Sequence, residues 1–232
     1  MKKFLSVFII LSALLFAVSG TVSASAPPQK DGVIFSGTLT CGKKIALTFD
    51  DGPHPRYTER ILDILDKYNV KATFFVIGVN IENYPETLKS IYSRGHEIGN
   101  HSYDHSNEKN FGREYAESEI LKCEELIYKE TGIIPRLFRP PQGQYSCDVE
   151  KIVNEKNYSI ILWSIDTRDW EHTPPERIKN IIDKNLSGGD IILMHDYTSG
   201  KNTTCDALEL IIPSLLSRGY EFVTVSELMQ LP

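Results

Sequence analysis

The strongest constraint on this chain is an alternation of short apolar runs with longer stretches of helical spacing. Ile45-Phe49, Ala72-Ile77, Glu97-Gly99, Leu137-Arg139, Ser159-Ser164, Asp190-Met194 and Phe222-Val225 read as strands. Between them Ile61, Leu62, Ile64 and Leu65 recur at the spacing of one helix face, as do Leu88, Ile91 and Tyr92. Glu114–Glu130 and Pro175–Leu186 read as longer helices, the second opening on Pro174-Pro175, and a further helix begins near Asp206 and ends by Gly219. Strands separated by helices pair in parallel through right-handed crossovers. The expectation is one α/β domain: a distorted or incomplete (β/α) barrel of about seven parallel strands, with an open doubly wound sheet as the alternative.

The chemically capable residues fall just after these strands. Asp50 and Asp51 follow the first, His101 and His105 the third, Asp166 the fifth and His195 the sixth, while Arg139 ends the fourth. A (β/α) barrel assembles its active site at the C-terminal ends of its strands. Five strands thus bring titratable or cationic groups to one rim, which chance explains for one pair but poorly for all.

Each group also has a plainer reading. A His101-x-x-x-His105 pair is often a surface or capping pair; with a carboxylate on the same rim it becomes a facial set for zinc or another first-row divalent ion. Asp50-Asp51-Gly52-Pro53 is ordinary turn chemistry, yet two adjacent anions after a buried run need a cation or an arginine to offset them, and Arg139 and a metal are the natural compensators. One aspartate can then bind metal while the other stays free as a base. A lone His195 at a strand end is usually a hydrogen-bonded core residue. Asp166 on the preceding strand offers it a partner that would raise its pKa and fix its tautomer. Trp163, Trp170 and Leu193 read equally well as core; Trp170, beside Asp169 in a rim loop, is the better candidate for lining a sugar or acyl pocket.

The N-terminus has the pattern of an export signal: Lys2-Lys3, an apolar run from Phe4 to Val18, then Val22-Ser23-Ala24 as a small-x-small cleavage site. The expected organisation is a signal peptide over residues 1–24, a leader segment over 25–43, read as flexible or edge-capping, and the domain over 44–232. The apolar run is short against the roughly 20 residues a bilayer needs, so release is preferred to a retained anchor. The formal net charge of −6 gives no reason to expect a nucleic-acid partner. Cys41, Cys123, Cys147 and Cys205 permit two disulfides in an exported protein or plain core thiols, and no C-x-x-C spacing marks a thiolate zinc site.

Five ordered motifs resemble those of the polysaccharide deacetylases with a NodB homology domain, carbohydrate esterase family four, over roughly Lys44 to Glu227. They are Thr48-Phe49-Asp50-Asp51-Gly52-Pro53, His101-Ser102-Tyr103-Asp104-His105, Arg139-Pro140-Pro141-Gln142-Gly143, Asp166-Thr167-Arg168-Asp169-Trp170 and Leu193-Met194-His195. The resemblance implies a distorted (β/α) barrel in which Asp51, His101 and His105 bind a divalent metal, zinc first and cobalt or another first-row ion next. It makes Asp50 the general base, held by Arg139, and His195 the general acid, tuned by Asp166. Pro141, Gln142 and Gly143 would line the substrate site, with Trp170 and Leu193 around the acetyl methyl. Two positions depart from the pattern: Gln142 replaces an aromatic residue, keeping a backbone donor but losing an aromatic wall, and Ser106 replaces proline. The implied activity is N-deacetylation of a polysaccharide by a secreted, wall-associated monomer. Peptidoglycan is the first substrate, chitin or its oligomers the second. The alternatives are acetylxylan esterase activity and a non-catalytic glycan-binding module.

Overall fold

The computed structural model describes residues 33–34, 36, 42–106, 112–200 and 202–230. The expected signal peptide, most of the leader and Cys41 lie outside the described residues. The described strands are β1 (Val33–Ile34), β2 (Lys44–Asp50), β3 (Thr73–Val76), β4 (Glu97–Asn100), β5 (Leu137–Phe138), β6 (Ser159–Ile161), β7 (Ile165–Asp166), β8 (Ile191–His195) and β9 (Glu221–Phe222). The described helices are α1 (Tyr57–Tyr68), α2 (Gly78–Asn83), α3 (Pro85–Ser93), α4 (Arg113–Thr131), α5 (Cys147–Glu155), α6 (Pro175–Asn185), α7 (Thr204–Ser217) and α8 (Val225–Met229).

All strand ladders are parallel, in the order β1-β6-β5-β4-β3-β2-β8-β7, with β9 beside the start of β2. The sheet is curled. Ile34, Ala46, Phe75, Leu137, Ile161 and Ile191, from six different strands, belong to one buried cluster, which a flat sheet would hold apart. This excludes the open doubly wound alternative. No ladder joins β7 to β1 among the described residues, so the barrel is incomplete. Val225 and Leu228 of α8 belong to the same cluster and seal it below, at the N-terminal ends of the strands. The opposite face of the sheet carries the larger core, where Ile45, Leu47 and Phe49 of β2 meet Ile61 and Leu65 of α1 and Leu208 and Ile212 of α7.

The strand count exceeds the expected seven for local reasons. Val33–Ile34, part of the leader read as flexible or edge-capping, pairs with β6 at the edge of the sheet; two residues are too few to show a period. The single strand expected over Ser159-Ser164 ends at Ile161 and pairing resumes at Ile165, because the carbonyls of Ile161 and Leu162 are taken by the Arg139 side chain. Phe222-Val225 is cut short by Thr224, which opens α8 in a capping box with Glu227. The three described cysteines are free; Cys123 and Cys205 are buried core thiols.

Gly99 shows how tightly the interior is filled. A Cβ there would lie 2.5 Å from the Phe75 ring and 3.3 Å from the Leu137 carbonyl oxygen. Gly99→Ala therefore displaces a fully buried ring and is expected to destabilise the fold by about 1–3 kcal/mol, as overpacking does. A urea-unfolding midpoint equal to that of the wild type would show that the ring has room to move.

Candidate active site

Strand parity decides which side chains enter the barrel mouth. On β2, Ala46 faces the inner cluster and Ile45, Leu47 and Phe49 the outer one, so Thr48 and Asp50 point inward. On β8, Ile191 faces inward and Ile192 and Met194 outward, which turns Leu193 and His195 to the mouth. Leu137 and Phe138 divide in the same way, leaving Arg139 inward. Ile98 is outward, so Gly99 and His101 share the inner side. Asp51 should then point away, but its backbone is left-handed (φ 75°), and this turns the carboxylate back over the mouth. Gly52 beside it has no space for a side chain, since a Cβ would meet the buried Asp196 carboxylate at 2.0 Å.

Asp51, His101 and His105 each offer a ligand atom, and these atoms lie within 4.8 Å of one another. Asp51 Oδ1 stands 3.5 Å from His101 Nε2 and 3.3 Å from His105 Nε2. The His101 Nδ1–H donates to the Arg139 carbonyl at 2.6 Å, which fixes the tautomer and leaves the Nε2 lone pair facing Asp51. Burial pushes the His101 imidazole below its ordinary pKa in spite of the nearby Asp50 and Asp51, so the neutral, ligating form is favoured. Asp51 Oδ1 is buried and has no hydrogen-bond partner. An orphaned carboxylate oxygen between two imidazole nitrogens fits a first-row divalent cation and leaves coordination positions open.

Asp50 is fixed from behind. Arg139, fully buried, donates from Nη1 to Asp50 Oδ1 at 2.7 Å and to Thr48 Oγ1 at 2.8 Å. Its Nε and Nη2 reach the Ile161 and Leu162 carbonyls, and its guanidinium lies over the Phe75 ring, 4.0 Å from the centroid. Asp50 Oδ2 is left on the side of the candidate ligand trio, 3.7 Å from His101 Nε2.

His195 is held by Asp169. Asp169 Oδ1 accepts from His195 Nδ1 and Oδ2 accepts from the His195 backbone N–H, both at 2.8 Å. Thr204 Oγ1 and the Trp170 N–H complete the carboxylate's shell. Burial works against a charged imidazole, but the Asp169 hydrogen bond and the fields of Asp169, Asp50 and Asp51 outweigh it and push the pKa up to about 9. With Nδ1 engaged, Nε2 is the atom left for chemistry. Asp50, Asp51, His101, His105 and His195 all line one open cavity of about 480 Å³.

This arrangement has counterparts. The family model described as polysaccharide deacetylase matches residues 38–161. A peptidoglycan-N-acetylglucosamine deacetylase of Bacillus cereus is 43% identical over 190 residues, covering 81% of this chain and 89% of its own length. The chain belongs to the polysaccharide deacetylase family. Among solved structures, a peptidoglycan N-acetylglucosamine deacetylase in complex with a naphthalenyl N-oxidanyl-benzamide superposes with a TM-score of 0.84 at 39% identity, covering 87% of this chain and 94% of that one. A family 4 acetyl xylan esterase from Clostridium thermocellum, in complex with a cobalt ion, gives 0.75 at 38% identity, covering 82% and 91%.

Within this deacetylase site one expected pairing is corrected. Asp166 is not the partner of His195; its Oδ1 accepts from the Arg168 N–H, capping its own loop, and its side chain forms part of the cavity wall. The chain turns at Arg168 (φ 57°) and brings Asp169 back to His195. Reading the carboxylate nearest the strand end missed this return; the second Asp of the same motif was the available signal. Gln142, Trp170 and Leu193 line the cavity as expected, whereas Pro141 and Gly143 shape the turn behind it and do not. Trp163, read equally as core, also lines it. Because the folded pKa of His195 exceeds the unfolded value of about 6.5, its pairing with Asp169 contributes stability that is full below that value and lost as pH rises through about 9. Asp169→Asn should lower the His195 pKa. NMR titration of the imidazole in chelator-treated protein checks this, and an unmoved pKa would remove Asp169 from the role.

Proposed function

We propose that this chain is a metal-dependent hydrolase that removes N-acetyl groups from N-acetylglucosamine units of peptidoglycan, with chitin or its oligomers as the next substrate class. The observation that carries the reading is the convergence on one cavity of a ligand trio, a carboxylate clamped by a buried arginine and an imidazole clamped by a buried carboxylate. Asp51, His101 and His105 would hold the ion, zinc first and cobalt or another first-row metal next. When bound, such an ion supplies a Lewis acid that lowers the pKa of water and polarises an acyl oxygen.

The remaining chemistry belongs to the chain's own groups. Asp50, with Oδ1 held by Arg139, takes the proton of the attacking water. A backbone N–H at Gln142, whose left-handed turn sits in the cavity wall, faces the developing oxyanion. His195, charged through its contact with Asp169, gives its Nε2 proton to the departing amine, so that acetate and a free amino sugar leave together. Leu193 and Trp170 supply the apolar wall for the acetyl methyl, and Trp170, 48% exposed, offers a face to a sugar ring. A wall polymer as substrate agrees with the export signal expected over residues 1–24 and with the peptidoglycan deacetylases that this chain resembles. The likeness to an acetyl xylan esterase supports one further reading, ester cleavage by the same groups. Retention of the base, acid and ligand trio speaks against a purely glycan-binding module.

Acetate release from N-acetylglucosamine oligomers, peptidoglycan and acetylxylan, with and without chelator, tests the reading. Chelation should abolish release and zinc or cobalt restore it. Asp50→Asn should lower turnover by about 10²–10⁴-fold, the usual share of an acid–base group, while sparing zinc binding. Full activity in that variant would reject Asp50 as the base.

A further inference from the structure

We infer that Glu119, on α4, is a positioning residue for the loop that carries His101 and His105, and that it sets the affinity of the trio for its divalent cation. The inference rests on the reading of Asp51, His101 and His105 as metal ligands.

Glu119 is 2% exposed and lies on the buried face of α4 with Ala116, Ile120 and Cys123. A carboxylate in such a stripe is costly unless its oxygens are hydrogen-bonded. Its Oε2 accepts from the backbone N–H of Asp104 at 2.9 Å, between the two histidines and directly before His105. The next helix residue, Ile120, accepts from Asn100 Nδ2 at 2.9 Å, and Asn100 Oδ1 accepts from the Ser102 N–H at 2.9 Å. One turn of α4 thus holds the loop at two points, on either side of His101 and just ahead of His105.

The loop needs such anchors because its backbone is held in a poorly populated conformation. Ser102 (φ 68°) and His105 (φ 63°) are both left-handed, at about 1–3 kcal/mol each for non-glycine residues. The His105 N–H donates to Ser102 Oγ, and Asp104 accepts from the Ser106 N–H, but these bonds lie within the loop and do not tie it to the barrel. The N–H groups of Gly78 and Val79 in α2 hold the Ser102 and Tyr103 carbonyls at 3.0 and 2.8 Å. The Tyr115 hydroxyl of α4 reaches Asp104 Oδ2 at 3.3 Å in an exposed contact. The Glu119 bond adds a tie from a buried carboxylate to the backbone directly before His105. Without it, His105 loses its register against His101 and Asp51, although Glu119 touches neither ligand.

Zinc affinity, measured by competition with a chromophoric chelator, tests this on wild type, Glu119→Leu, Glu119→Gln and His105→Ala. Leucine removes the acceptor while filling the apolar stripe, so the metal-free Tm should not fall, yet zinc affinity should drop about 10–100-fold, the usual effect of losing an outer partner of a ligand. Glutamine keeps an oxygen for the Asp104 N–H and should restore near-wild-type affinity. Glu119→Ala serves in its place if leucine disturbs packing. Unchanged affinity in Glu119→Leu, or an equal loss in Glu119→Gln, would overturn the inference. If His105→Ala binds zinc as the wild type does, the metal site itself has been misread; if His105→Ala alone loses affinity, only the role of Glu119 fails.

Discussion

The site depends first on a buried ion pair. Arg139 has no solvent exposure, and its guanidinium is satisfied by Asp50, Thr48 and two carbonyls of the β6 end. Removing one partner of a buried pair leaves an uncompensated charge, at about 3–5 kcal/mol, so neither residue is free to vary alone. The same residue's carbonyl accepts from His101 Nδ1. Arg139 therefore couples two functions through different atoms: its side chain aims a carboxylate, and its backbone sets the tautomer of a candidate ligand.

His195 is organised in the same manner with the charges reversed. A buried carboxylate, Asp169, grips a ring nitrogen and the backbone N–H of one residue, and a threonine hydroxyl from the start of α7 completes its shell. Five aspartates crowd this region, and surroundings divide their work. Asp166 caps its own loop in the cavity wall. Asp50 faces an arginine and Asp169 an imidazole. Asp51 has an orphaned oxygen between two ring nitrogens. Asp196 is buried beneath Gly52, where burial, against the Thr58 hydrogen bond and aided by Asp51 and Asp50, pushes its carboxyl up to about 7. Like residues take unlike roles because each meets a different partner.

Much of this was legible in the sequence. Period-two parity along β2, β4, β5 and β8 assigns Asp50, His101, Arg139 and His195 to one face, and the alternation of apolar runs with helical stretches required a parallel sheet. What escaped depended on contacts between distant segments. Val33–Ile34 gains its strand from β6, and the break after Ile161 comes from a side chain 22 residues earlier taking a ladder carbonyl. Asp169 reaches His195 because the loop after β7 doubles back. Glu119 is one acid among several on α4, and no periodicity marks the hydrogen bond it makes to a loop.

The backbone of the rim explains why so large a core supports so few reacting atoms. Nine described non-glycine residues have positive φ, and Asn69, Asn157 and Gln230 follow helices, where a left-handed residue ends the last turn. The remaining Asp51, Ser102, His105, Gln142, Arg168 and His172 lie in loops above the strands. Such conformations persist only where their surroundings over-determine them. Here the surroundings are the filled interior and the polar clamps described above. Two of these residues are candidate ligands, one lies in the cavity wall beside Gly143, and one turns the chain toward Asp169. The placement of two candidate ligands and the return of Asp169 are thus written into backbone torsions. Asp50 and His195 are instead set by strand parity and by their buried partners, so that main chain and side-chain clamps share the work of holding the site.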